Sequence, residues 1–290
     1  MIVKRGTAIG PIGAHVSVAG GTHTSGPRAK AIRADAVQIF TKNANQWRER
    51  LVDKAEARAF KAARKAANVR FACSHDSYLI NLASPDAVLR ARSLTSFIAE
   101  LERSKALGLD AVVSHPGNYM DDRERGLARN AEAITAALTQ VRGKFRLLIE
   151  GTAGAGTALG GTFEELAQLR ALMAPAIRKR VGVCLDTCHL YVAGYDLVGD
   201  YDAVWTRFDD IVGLELLGCL HLNDTQSRLG SKLDRHEVIG KGVLGRATFQ
   251  RIMTDPRLAH IPKLIETPKG DDEVSNDRRA ISLLRRLSSY

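Results

Sequence analysis

Eight short, almost uninterrupted apolar runs punctuate this 290-residue chain, and helical patterns fill the intervals between them. The runs are GAHVSV (13–18), AVQIFT (36–41), VRFACSH (69–75), AVVSH (111–115), RLLIE (146–150), VGVCLD (181–186), GCLHLN (218–223) and KLIET (263–267). Continuous apolarity, in place of alternation, marks strands covered on both faces, as in a parallel sheet. Between them, an Ala-rich segment from Ala55 to Ala67 reads as a helix. Ser84 and Pro85 can cap and start another, in which Leu94, Phe97, Ile98 and Leu101 keep helical spacing and Gly108 can end it. Thr162 with Glu165 three residues on fits a capping box ahead of Leu166 and Leu169. Eight strands alternating with helices predict an α/β protein, a (β/α)8 TIM barrel. No linker or composition break divides the chain. We read one barrel domain over 13–290, preceded by an N-terminal extension over 1–12.

At 45% hydrophobic the chain can bury a large core, yet no run approaches the roughly 18 apolar residues of a membrane helix. The start, MIVKRGTAIGPIGAH, lacks the apolar core and cleavage site of a secretory signal. Cys73, Cys184, Cys188 and Cys219 show no CxxC spacing, and three fall in strand-like runs. They read as reduced, mostly buried thiols of a cytoplasmic protein. A net charge of +10 favours polyanionic partners but carries weight only if a site agrees with it.

The ends of the strands carry the chemistry. Strand three ends in His75, strand four in His115 and strand five in Glu150. Strand six gives Asp186, with His189 three residues on. Strand seven carries His221, its following loop Asp234 and His236, and strand eight Glu266. Barrel active sites form at the C-terminal ends of strands, so these side chains should converge. Taken singly, a histidine there is more often a satisfied polar residue than a ligand, and an acid more often a helix cap. Jointly the balance reverses. Four carboxylates crowded into one mouth repel unless cations join them, and imidazoles beside them are good ligands for divalent metals. Nitrogen and oxygen donors leave zinc, manganese and iron open, with zinc the default.

These residues sit in blocks that resemble the endonuclease IV family of apurinic/apyrimidinic endonucleases. The blocks are GAHVSVAGG, FTKNANQW, HDSYLINLASP, SHPG, EGTAGAG, GVCLDTCHLYVAGYDL, HLNDTQSRLGSKLDRHEVIGKG and LIETP, in order from Gly13 to Pro268. The resemblance implies three divalent metals, usually zinc, with manganese an alternative at the third site. It implies that His75 and His115 bind one metal, which Glu150 bridges to a second completed by Asp186, His221 and Glu266. His189, Asp234 and His236 bind the third. Three divalent cations against four carboxylates and a hydroxide leave about one net positive charge, which suits a phosphodiester.

The implied reaction is hydrolysis of the phosphodiester 5′ to an abasic nucleotide by a metal-bound hydroxide. It leaves a 3′-hydroxyl and a 5′-deoxyribose phosphate, and the same site would trim blocked 3′ ends. The implied partner is double-stranded DNA with an abasic site, met by a monomer in the cytoplasm, at the nucleoid during repair. An enzyme acting on one nucleotide of a duplex must take it out of the stack. By resemblance, Tyr78 and Leu79 are the apolar side chains that fill the gap. Two positions depart from the family pattern. Asn45 stands where an arginine often enters the base stack, which shifts the expected load onto Tyr78 or Arg48. Gly151 follows the bridging glutamate in place of asparagine, removing a hydrogen bond behind the ligands. Lys42, Lys232, Arg235, Lys241 and Lys269 are expected phosphate contacts, and His15 a neighbour of the site. The glycines of GTAGAGTALGG and IGKGVLG would allow close approach of phosphates. Two rivals are a sugar isomerase or epimerase on the same barrel and a non-catalytic DNA-damage binder. The first needs fewer metals and no wedge; the second would have lost a ligand.

Overall fold

Each apolar run forms a strand, most of them shorter than the run itself, in a computed structural model that describes residues 9–288. The expected extension over 1–12 falls outside the described residues up to position 8. The first strands are β1 (Ile12–His15), β2 (Ala36–Ile39), β3 (Phe71–His75) and β4 (Ala111–Ser114). They continue with β5 (Arg146–Glu150), β6 (Val181–Asp186) and β7 (Leu217–His221). A two-stranded hairpin, β8 (Asp224–Thr225) with β9 (His236–Glu237), precedes the last barrel strand, β10 (Lys263–Ile265). All barrel pairs are parallel, and β10 closes the ring between β7 and β1. The chain is a single-domain TIM barrel.

Helices wrap the outside: α1 (Ser25–Ala31), α2 (Lys54–Ala66), α3 (Ala87–Leu107), α4 (Arg123–Gln140) and α5 (Phe163–Leu172). The rest are α6 (Pro175–Arg178), α7 (Thr187–Ala193), α8 (Tyr201–Ile211), α9 (Gly245–Thr254) and α10 (Glu273–Leu287). Their starts follow side-chain chemistry. Asp86, not Ser84, caps α3, because its carboxylate reaches the amides of Val88 and Leu89 while Ser84 accepts from Asp86 itself. Gly108 ends α3 at φ 73°, in the left-handed region. Thr162 caps α5 as expected, but Glu165 does not complete the box; it turns to the amides of Gly160 and Gly161 and to Arg123.

Two apolar layers hold the barrel. Between strands and helices lie Phe97, Leu101, Phe163, Trp205 and Phe208, all fully buried, each stabilising by roughly 1.5–3 kcal/mol. Inside the ring lie Ala36, Cys73, Val113, Leu148, Cys184, Cys219 and Leu264. All four cysteines are free and buried. Gly13 lets β1 approach β2, since a Cβ there would lie 1.7 Å from the carbonyl oxygen of Ala36.

The interior layer positions the site. Side chains two apart on a strand share a face. The inward-facing residues Cys73, Val113, Leu148, Cys184, Cys219 and Leu264 are therefore each followed, two residues on, by His75, His115, Glu150, Asp186, His221 and Glu266. The same step from Gly13 and Ala36 reaches His15 and Gln38. Eight strands thus raise eight polar side chains into one mouth.

Candidate metal centre

The nine expected donors gather into three groups, in each of which one ligand atom per residue lies within 4.8 Å of the others. The groups are His75, His115 and Glu150; Glu150, Asp186, His221 and Glu266; and His189, Asp234 and His236. Glu150 belongs to two of them, one oxygen to each. Its Oε2 faces His75 Nε2 at 3.1 Å and His115 Nε2 at 3.3 Å, while Oε1 faces His221 Nδ1 at 2.9 Å.

Local folding supplies the remaining positions. Asp186 ends β6 and caps α7, accepting from the amides of Cys188 and His189 through Oδ1. One turn of α7 brings His189 back over the mouth. Its Nδ1 meets the carbonyl of Gly151 at 2.8 Å and its Nε2 faces Asp234 at 3.1 Å. The β8–β9 hairpin returns the chain so that His236 Nε2 lies 3.2 Å from Asp234 and 3.6 Å from Asp186.

Electrostatics explain why so many acids coexist. Burial opposes ionisation of Glu150, yet His221 and His115 hold its carboxyl well below the usual range. Burial pulls the imidazoles down, but the acids outweigh it. Glu150 and Asp76 lift His75 to about 9, Asp186 and Asp234 lift His189 to about 10, and the same two lift His236 to about 9. Protons on the imidazoles thus balance the carboxylates, and a cation entering here displaces them. The donor geometry fits such ions. His236 Nε2 is buried between two carboxylates without hydrogen-bond geometry to either, so it faces a point shared with them. Thiols stand nearby at Cys184, Cys188 and Cys219. Burial pushes the Cys188 thiol up to about 12 and raises that of Cys184 well above its ordinary range, so both favour the protonated form.

Tyr78 and Leu79 follow β3 at the rim. Tyr78 is 65% exposed, unusual for so large a ring, and braces edge-on against Phe40 at 5.4 Å. Asn45, Arg48 and Arg235 are exposed, and a cleft of about 630 Å³ opens between Tyr78, Asn45, Phe40 and His15. Lys42 requires a correction. Its side chain is buried, with Nζ on the carbonyl of Gln46 and 3.3 Å from Glu49, so it braces the loop and offers no free charge to a phosphate. Lys269 is likewise spent on Asp277. The glycine-rich loops are also engaged internally. Asp224, fully buried, takes the amides of Gly240 and Gly242, and Glu165 those of Gly160 and Gly161.

Residues 27–287 match the family described as xylose isomerase-like TIM barrel. A probable endonuclease 4 of Chloroflexus aggregans is 45% identical over 95% of this chain and 96% of its own. The chain belongs to the endonuclease IV family. The crystal structure of endonuclease IV from Thermus thermophilus superimposes with a TM-score of 0.84, at 37% identity, over 95% of this chain and 99% of that one. A D-psicose 3-epimerase aligns at a TM-score of 0.68 over 97% of this chain and all of its own. Its identity is only 17%, a likeness of fold alone.

Within this endonuclease IV barrel, four polar residues behind the donors escaped the sequence reading. Asn223 donates to Asp186 at 2.6 Å and accepts from the Glu266 amide, tying β7 to two donors at once. Asp76 sits behind His75 and accepts from Ser114 at 2.6 Å; burial lifts its carboxyl to about 7. Asp224 organises the hairpin. Gln38 touches three site residues. The sequence signal for Gln38 was its place two residues after an inward alanine; Asn223 and Asp224 offered only adjacency to His221. Gly151 meets His189 through its backbone carbonyl, a contact any residue there would keep, and a Cβ would lie 3.1 Å from Leu185.

Proposed function

We propose that this protein is a DNA-repair nuclease that hydrolyses the phosphodiester 5′ to an abasic site, leaving a 3′-hydroxyl and a 5′-deoxyribose phosphate. One observation carries the reading: nine nitrogen and oxygen donors in three groups, beside an exposed tyrosine, in a chain of this family. We assign three divalent ions, zinc by default, to His75, His115 and Glu150; to Glu150, Asp186, His221 and Glu266; and to His189, Asp234 and His236. When bound, such ions activate water and offset the charge of a phosphodiester. Glu150 spans two groups through separate oxygens and so fixes their separation. Tyr78 and Leu79 occupy the gap left when the abasic nucleotide leaves the stack, a task suited to apolar side chains at a rim. Arg235, exposed beside Asp234 and His236, and Arg48 on the 41–50 loop supply charge for flanking phosphates. The reading extends to removal of 3′ blocking groups and to action as a monomer in the cytoplasm, at the nucleoid during repair. Among the described residues, no helix is long and apolar enough to cross a membrane.

The test is nicking of a labelled duplex holding one tetrahydrofuran site, with native metal, after prolonged chelation, and after zinc or manganese is restored. That analogue cannot undergo β-elimination, so a cut on its 5′ side reports hydrolysis. Cleavage that disappears with chelation and returns with metal is expected. An intact duplex despite bound metal would overturn the proposal.

A further inference from the structure

Gln38 is wholly buried at the mouth, where a neutral amide among charged groups has no obvious reason to be. Every hydrogen-bonding position it owns is used. Its amide nitrogen faces Glu266 Oε1 and His15 Nδ1, the latter at 3.1 Å. Its oxygen faces His221 Nε2 at 2.8 Å and receives the Cys73 thiol at 3.5 Å.

The direction of this network follows from one group. A carboxylate can only accept, and Glu266 enters the second metal group as a carboxylate. The amide NH2 of Gln38 must therefore face Glu266, and its oxygen must face His221. An oxygen accepts only from a protonated nitrogen, so the proton of His221 sits on Nε2. Nδ1, 2.9 Å from Glu150 and 3.4 Å from Glu266, is then the nitrogen whose proton an entering cation displaces. The second hydrogen of the amide faces His15 Nδ1, which accepts it. A flipped amide would oppose oxygen to carboxylate and NH2 to N–H, and break both contacts.

We infer that Gln38 is a positioning residue that sets the proton of His221 on Nε2 and anchors Glu266 with the same amide, so that both present their free donors to the second metal group. This rests on the metal-centre reading given above. Partners behind a metal-binding histidine fix its tautomer and raise its basicity, and losing one typically costs 10- to 100-fold in metal affinity.

The experiment uses the full chain loaded with zinc and no DNA. Gln38→Met keeps the volume and removes the amide; Gln38→Glu keeps an acceptor for His221 and removes the donor to Glu266. Zinc per chain is followed against increasing chelator, and the His221 ring nitrogens by 15N NMR. We expect Gln38→Met to release one zinc at roughly 10- to 100-fold less chelator than wild type, hold the other two normally, and lose the protected Nε2–H signal. Gln38→Glu should release the same zinc but keep that signal, which separates the two roles and serves if the methionine variant does not fold. Either folded variant holding all three ions at the wild-type chelator concentration overturns the inference. A wild type that takes up no zinc overturns the metal-centre reading itself, and this inference with it.

Discussion

Replacing Arg103 with methionine should destabilise the protein by about 3–5 kcal/mol, although its hydrogen bonds reach none of the nine donors. Arg103 on α3 is 2% exposed and holds together the loop that carries Asn45 and Arg48. Its guanidinium meets Glu100 at 2.8 Å, Glu49 at 2.6 Å and the Thr41 hydroxyl at 2.7 Å. The two acids respond differently to its loss. Glu49 has a 28% exposed side chain and keeps Lys42 and Ser96, so its share is below about 1 kcal/mol. Glu100 is 2% exposed and, among the described residues, keeps only the hydroxyls of Thr41 and Ser104, so nearly the whole cost is one orphaned buried charge. Adding Glu100→Gln to Arg103→Met should then recover about 2 kcal/mol, while Glu100→Gln alone destabilises. Urea denaturation with matched metal content, followed by tryptophan fluorescence, measures all four corners of the cycle. Strict additivity, or a cost for Arg103→Met below about 1 kcal/mol, would refute the reasoning.

Three further outcomes can be checked. Lys263 is fully buried, donates to the carbonyls of Leu258 and Ile261, and is pulled by burial from 10.5 to about 8. The unfolded chain therefore holds more protons between pH 8 and 10.5, so the lysine's penalty is full below pH 8 and fades above it. The stability of wild type minus Lys263→Met should rise by about 3 kcal/mol across that window, and parallel pH curves would contradict it. Tyr78→Ala should weaken binding to an uncleavable phosphorothioate duplex with an abasic analogue by roughly 10-fold, about 1–2 kcal/mol. Its zinc content should stay unchanged; fluorescence anisotropy and metal analysis read the two. Asn45→Arg should tighten binding to the same duplex, and unchanged affinity would show that this loop position does not enter the stack.

What the sequence made legible follows from what is local. The strands were readable because burial on both faces leaves an unbroken apolar run, and the donors because each ends such a run or follows it within a short loop. Gln38 was passed over although it occupies the same ring, since an amide carries no charge to flag it; its meaning comes from Glu266 and His221, distant in sequence. Lys42 was misjudged for the converse reason. A lysine in a polar loop reads as solvent-facing, and only folding shows Glu49 and the Gln46 carbonyl enclosing it. The start of α3 slipped by two residues because serine and aspartate cap equally well, and only backbone geometry decides which does.

The circular order of the barrel also governs when the protein acquires its chemistry during synthesis. Donors emerge from the ribosome in sequence: His75, His115 and Glu150 complete one group early, and His236 completes another much later. The central group waits for Glu266, which follows the strand that closes the ring between β7 and β1. A nascent or half-assembled chain therefore lacks the group that shares Glu150 with the first. The donor set is thus completed in one late step, when the last strand docks, and closing the ring and finishing the site are the same event.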